Sequence, residues 1–147
     1  MNEIQIVPMK DAYIPEIAAL EKQCFSDPWS DQSLREELGY PFSVFLVAVC
    51  DSAVAGYAGA HHLGDSSYIC NIAVAQPFRR QGIASRLLQE HIRLAAEHGM
   101  TEITLEVRTS NTPARELYEK FGFTHIGTRP DYYMHPQEDA EIYTKSI

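Results

Sequence analysis

The stretch Pro77-Phe78-Arg79-Arg80-Gln81-Gly82-Ile83-Ala84-Ser85-Arg86 sets two arginines and one glycine directly ahead of an apolar helical pattern. The first free N–H groups of a helix point outward and carry about half a positive charge, so an anion suits that position. Gly82 would let a phosphate approach the main chain closely, and Arg79, Arg80 and Arg86 add positive charge. The same residues also suit a solvated loop that happens to open a helix. From this stretch alone the two readings stand level. No Gly-Lys-Ser/Thr run marks a P-loop, and one glycine does not make a dinucleotide fingerprint.

Other residue types capable of chemistry have plainer readings. In TEITLEVR, Ile103, Leu105 and Val107 alternate with Thr104, Glu106 and Arg108, so a strand sets Glu106 opposite the apolar face. By pattern alone, that describes a solvent-facing glutamate. Tyr118 shares one helical stripe with Ala114, Leu117 and Phe121, as a core tyrosine with a satisfied hydroxyl would. Asn111 reads as a turn residue ahead of that helix. Cys24, Cys50 and Cys70 form no CxxC pair, and an odd count argues against a disulfide framework. Neighbouring His61 and His62 would point to opposite faces of a strand, so no metal site is expected.

The elements around these residues follow from periodicity. EIQIVP reads as a strand, followed by a helix through Ile14, Ile17, Ala18 and Cys24. A second helix starts at Ser30 as N-cap, with Trp29 placed to staple against Leu34. SVFLVAVC, VAGYAGAHH and SYICNIAV form an antiparallel meander with turns at residues 51–53 and 64–65. Residues 82–98 are expected to be helical, with Gly99 at the C-cap. After the strand bearing Glu106, Thr112 as N-cap and Pro113 open a helix that Gly122 ends, and FTHIGTRPDYY and EDAEIYTKSI supply two further strands. The sum is an α/β domain with a mixed sheet and about four helices.

Length and charge set the outer bounds. The 147 residues suit a single domain, 1–147, and no apolar run is long enough to span a bilayer. The first residues lack the order of a secretory signal, so a cytoplasmic location is expected. A formal net charge of -8 disfavours nucleic acid and suits cationic substrates or partners.

The order of the motifs separates the two readings of the turn. A meander, then RRQGIA opening a helix, then a strand, then NTPARELYEKFGF, resembles the GNAT superfamily of acyl-CoA-dependent N-acetyltransferases. Arg79-Arg80-Gln81-Gly82-Ile83-Ala84 matches that family's pyrophosphate loop, in which Arg79, Gly82 and Ala84 hold the patterned positions. Asn111, Ala114, Tyr118, Gly122 and Phe123 match its NxxAxxxYxxxGF helix. FSDPWS, NIAV, LEVRTSN, Tyr132-Tyr133 and the late EDA further resemble the bacterial RimI type, the ribosomal-protein alanine N-acetyltransferases. Ala84 stands where many relatives have glycine, and Tyr143 where such tails often have methionine.

The resemblance implies a GNAT fold, with a mixed, largely antiparallel central sheet of about six to seven strands flanked by about four helices. It implies acetyl-CoA as cosubstrate, direct attack in a ternary complex, Glu106 as proton acceptor and Tyr118 as proton donor. The pantetheine arm would run along Ile72, Ala73 and Val74, with main-chain groups of Asn71 to Val74 at the thioester carbonyl. Arg79, Arg80, Gln81, Gly82, Ile83, Ala84 and Ser85 would cradle the pyrophosphate, and Asn111 would contact the cofactor. The acceptor would be the N-terminal alanine of a small-subunit ribosomal protein, in a groove near the first two helices and Tyr132. Direct attack needs no thiol nucleophile, so no catalytic role falls to Cys70. Two other readings remain open: a GNAT enzyme for a lysine side chain, polyamine or aminoglycoside, and a non-catalytic acyl-CoA sensor. Retention of both Glu106 and Tyr118 counts against the sensor.

Overall fold

Proline in the first turn costs a helix nothing, because the N–H it lacks would be unpaired there. Pro15 takes that place in the first helix of the computed structural model, which describes residues 3–147. Strand β1 (Ile4–Pro8) precedes a short 3₁₀ turn (Asp11–Tyr13), α1 (Ile14–Cys24) and α2 (Asp31–Glu37). Strands β2 (Ser43–Cys50), β3 (Ala53–Leu63) and β4 (Ser66–Val74) form the expected meander. A second 3₁₀ turn (Gln76–Phe78) leads to α3 (Ile83–Glu97), and β5 (Glu102–Arg108), α4 (Thr112–Lys120), β6 (Thr124–Met134) and β7 (Gln137–Ser146) complete the chain.

Seven strands lie in the order β1-β2-β3-β4-β5-β7-β6, and every neighbouring pair is antiparallel except β4 with β5. One face carries α1 and α2, whose Ile14, Ile17, Leu20 and Leu34 pack on Phe45, Val47, Tyr57 and Ala73. The other carries α3 and α4, where Leu88, Ala95, Tyr118 and Phe123 pack on Ile69, Ile103, Leu105 and Tyr143. His61 and His62 follow this division. His61 meets Glu37 of α2, while His62 lies 3.2 Å from the His98 ring at the end of α3.

Local signals set the helix ends with two one-residue shifts, the first at the end of α3, where His98 is the C-cap and Gly99 follows it at φ +81. Ser30 Oγ accepts the Ser33 N–H at 3.0 Å, as an N-cap should. Trp29 joins Leu34 in one apolar cluster and tilts its ring against Phe45 at 5.5 Å. At α4 the cap is Asn111, not Thr112: Asn111 Oδ1 accepts the Ala114 N–H at 3.3 Å, and Thr112 is the first helical residue. Both residue types can cap, and the asparagine one position earlier reaches the third N–H of the helix.

Gly59 lies opposite Phe45 in the β2–β3 register, and a Cβ at Gly59 would overlap the phenyl ring. Gly59→Ala should therefore destabilise the fold by about 1–3 kcal/mol through overpacking. Urea denaturation reads this directly; an unchanged midpoint would mean that the ring yields without strain.

Candidate active site

The parallel pairing of β4 with β5 is short. It runs only from Ser66↔Glu102 to Ile69↔Leu105. At Cys70 a bulge shifts β4 against β3, after which β4 follows β3 as far as Val74 while β5 stays with β7 as far as Arg108. The two central strands therefore part, and the β5-facing main chain of Asn71 to Val74 has no strand partner. A bulge is a usual device for ending a pairing beside a functional site. The opening is a cleft of about 600 Å³ whose lining includes Tyr68, Asn71, Ile72, Glu106, Asn111 and Tyr118, together with Trp29, Tyr132 and Tyr133.

Strand parity puts Glu106 and Tyr118 on opposite sides of that opening. Tyr68 pairs with Thr104, two residues before Glu106, so Tyr68 and Glu106 share the face covered by α1 and α2. The Tyr68 hydroxyl donates to Glu106 Oε1. Glu106 Oε2 lies 2.5 Å from Arg129 Nε, off the N–H axis, so this contact is an ion pair and not an aligned hydrogen bond. Burial, with Glu106 beside it, holds the Tyr68 phenol well above its ordinary range, so it remains a donor. Thus the strand places Glu106 in a lined cleft and not in bulk solvent.

Tyr118 enters from the α4 side. Its ring packs on Phe123 and Tyr143 with centroids 5.8 Å and 6.2 Å away. The ring is core, as the helical stripe implies, but the hydroxyl differs from that reading: among the described residues no protein group hydrogen-bonds it. Burial, reinforced by nearby Tyr133, raises its pKa and keeps the phenol protonated. Cys70, on the bulge, is pushed up to about 12 chiefly by burial, so it is a thiol and not a nucleophilic thiolate.

The α1–α2 loop is tied to β4 by Glu21, which is fully buried. Its carboxyl group accepts from the Trp29 N–H at 2.8 Å, from the Tyr57 hydroxyl and from Asn71 Nδ2 at 3.2 Å. Burial raises its pKa, and these three bonds oppose that rise. At the far side of the cleft, His135 Nδ1 lies 3.1 Å from Asp27 Oδ1, joining the β6–β7 hairpin to the α1–α2 loop.

The turn ahead of α3 has the geometry its glycine predicts. Gly82 caps the helix at φ +77, where a side chain would be strained, and the space above it is open. Arg80 also has positive φ, at +63. Buried Ile83 anchors the first turn in the core, and the N–H groups of Ile83, Ala84 and Ser85 have no partner within the helix. Arg80 and Arg86 make no hydrogen bond or ion pair among the described residues. Arg79 does: its Nε donates to Val74 O at 3.0 Å, so its side chain braces the end of β4. Gln81 Nε2 donates to Pro77 O at 3.2 Å.

The expected residues thus fall into two groups. Glu106, Tyr118, Asn111 and Ile72 line one cleft, whereas Val74, the last residue of β4, and residues 79–85, which lead into the first turn of α3, lie outside its lining. Ala73 turns its side chain into the α1 core and is not part of the cleft lining. Tyr68 and Arg129 escaped the reading of the sequence. The first could have been found from the β4–β5 register; the second needed the position of β6 in the sheet.

A family model described as the acetyltransferase (GNAT) family matches residues 14–123. The ribosomal protein bS18-alanine N-acetyltransferase of Salmonella typhimurium is 33% identical, with 100% of this chain and 99% of that protein aligned. The crystal structure of the ribosomal-protein-S18-alanine N-acetyltransferase from Escherichia coli has a TM-score of 0.90 at 27% identity, covering 99% of this chain and 94% of that one. Arabidopsis thaliana NAA60 in complex with acetyl-CoA shares the fold, with a TM-score of 0.89 at 17% identity and coverage of 99% of both chains.

Proposed function

This chain belongs to the acetyltransferase (GNAT) family, and from that premise we propose that it moves an acetyl group from acetyl-CoA to the N-terminal α-amine of a ribosomal protein, with alanine as acceptor. The observation that carries the proposal is the parting of β4 and β5, with a carboxylate on one side of the gap and an unpartnered phenol on the other. Such a gap lets an amine and a thioester meet from opposite faces of the sheet.

In this reading the start of α3 holds the pyrophosphate through the N–H groups around Gly82, with Arg80 and Arg86 free to add charge. Main-chain groups of Asn71 to Val74, including those of Ile72 and Ala73, receive the pantetheine arm and the thioester carbonyl. The amine nitrogen attacks that carbonyl, Glu106 accepts the proton the nitrogen sheds, and the C–S bond breaks towards the Tyr118 hydroxyl. Asn111 lines the same cleft, but its Oδ1 already caps α4, so its contact to the cofactor would come through its amide nitrogen. Residues 1–147 act as one catalytic domain in the cytoplasm, without direct contact to nucleic acid. Among the described residues no helix is long and apolar enough to cross a membrane.

The α-amine suits this site chemically. At pH 7 an N-terminal amine with pKa near 7.8 is about a tenth neutral, whereas lysine near 10.4 is neutral to less than about a thousandth. Peptides with free N-terminal Ala, Ser or Gly, beside an N-blocked lysine peptide, should separate the acceptors by mass spectrometry after incubation with acetyl-CoA. Transfer to the Ala peptide and none to the blocked one is the expected result. Acetylation confined to lysine would overturn the α-amine assignment, and cofactor binding without any transfer would make the protein a sensor.

A further inference from the structure

Both oxygens of Glu106 are engaged before any acceptor arrives, one by the Tyr68 hydroxyl and the other by the Arg129 guanidinium. The two partners in the ion pair differ in exposure: the Glu106 side chain is 8% exposed and that of Arg129 58%. The arginine therefore covers the carboxylate from the solvent side, where an acceptor from solution must come. We infer that Arg129 is a positioning residue that prevents the site from holding the acceptor as an unreactive ammonium ion. This rests on Glu106 acting as proton acceptor for an α-amine.

Only the neutral amine carries the lone pair that attacks the thioester. A carboxylate with no cation of its own, within about 4–6 Å of that amine, would favour the protonated form and raise its pKa by ~1–3 units. Glu106 and Arg129 together carry about zero net charge, so the pair does not draw in an ammonium ion, and the guanidinium repels one. Proton acceptance is still possible at the next step. When the C–N bond forms, the nitrogen becomes positive and far more acidic; Glu106 takes its proton, the C–S bond breaks, and the sulfur leaves with the electron pair.

The other charged and titratable groups around the cleft do not supply this balance. Tyr68 on β4 and Tyr118 on α4 are phenols held protonated by burial, and Tyr133 on β6 is pushed up to about 12, first by burial. Tyr132 adds a further phenol to the cleft lining. Arg108 on β5 is already committed: its Nη1 lies 3.2 Å from Glu138 on β7, and its guanidinium sits 4.4 Å from the centre of the Tyr133 ring. Asp27 and His135 pair with each other. Among the described residues, Arg129 is the cation set against Glu106.

The test uses the purified enzyme, saturating acetyl-CoA and an N-terminal Ala peptide, with kcat and KM measured from pH 6 to 9.5. Arg129→Gln should lower kcat and KM together by about tenfold at pH 7, for a one-unit rise in the bound amine's pKa, while kcat/KM stays nearly constant. The acid limb of kcat should move to higher pH by the same unit, and Arg129→Lys should restore most of kcat. In a Glu106→Gln background the limb should start at lower pH than in the wild type, because the guanidinium then stands without its carboxylate, and adding Arg129→Gln should bring it back towards the wild-type position. A purely structural role predicts otherwise: KM raised, or kcat/KM lowered at every pH, or no change would each overturn the inference. A slow Glu106→Gln enzyme beside an unaffected Arg129→Gln enzyme would remove Arg129 alone. Wild-type turnover in Glu106→Gln would remove the base on which both readings rest.

Discussion

Glu106→Gln should lower kcat/KM for an N-terminal Ala peptide by about 10²–10⁴-fold at pH 7, the range expected for a lost general base. The amide keeps the shape of the side chain and can still accept from Tyr68, so the cleft wall should hold its form. What disappears is the group that takes the proton as the C–N bond closes. The deficit should therefore depend on pH in a particular sense. Between pH 6 and pH 9 the free α-amine goes from almost wholly protonated to almost wholly neutral, and hydroxide becomes a competing proton acceptor. The ratio of wild-type to variant kcat/KM should be largest near pH 6 and narrow towards pH 9. A ratio that stays the same across this range would mean that Glu106 contributes position or field and not proton transfer. Unchanged folding, read by thermal unfolding, separates either outcome from simple loss of structure.

The parts of the site that could be read from the sequence are those set by neighbours along the chain. Gly82 announces a left-handed cap, Ser30 a helix start, and the alternation in TEITLEVR gives the side of the sheet to which Glu106 belongs. Even locally, two residues able to do the same job can exchange roles, as Asn111 and Thr112 do at the start of α4. The cleft itself is a different kind of object. Nothing in SYICNIAV says that pairing with β5 stops at Ile69, because that depends on a bulge at Cys70 and on β7 lying beside β5. Parity of a strand tells which face a residue occupies but not whether that face is solvent, core or cleft; hence Glu106 could pass for a surface residue. Arg129 is further out of reach. It arrives at Glu106 only because β7 lies between β5 and β6, with Ala140 aligned to both Arg108 and Arg129. The small Ala140 leaves room above the sheet for the guanidinium to cross it.

Tyr118→Phe should cost about 10²–10³-fold in kcat, the scale seen when one preorganised donor to developing negative charge is removed, with little change in acetyl-CoA affinity. The reasoning turns on how acidic the phenol is. A phenol near 10 is already a weaker acid than a thiol near 8.5, so complete proton transfer to the departing thiolate is uphill by ~2 kcal/mol in water. Burial raises Tyr118 further and makes that transfer harder still. The hydroxyl is thus better suited to hydrogen-bond the nascent thiolate than to protonate it, and solvent completes the transfer after release. The substitution is also clean. The ring packing on Phe123 and Tyr143 is retained, and no protein partner is orphaned when the hydroxyl is removed, so stability should shift by no more than about 0.5 kcal/mol. A cofactor dissociation constant and a kcat measured on the same preparation decide the matter. Equal losses in both would assign the hydroxyl to cofactor binding, and an unchanged kcat would exclude it from the chemical step.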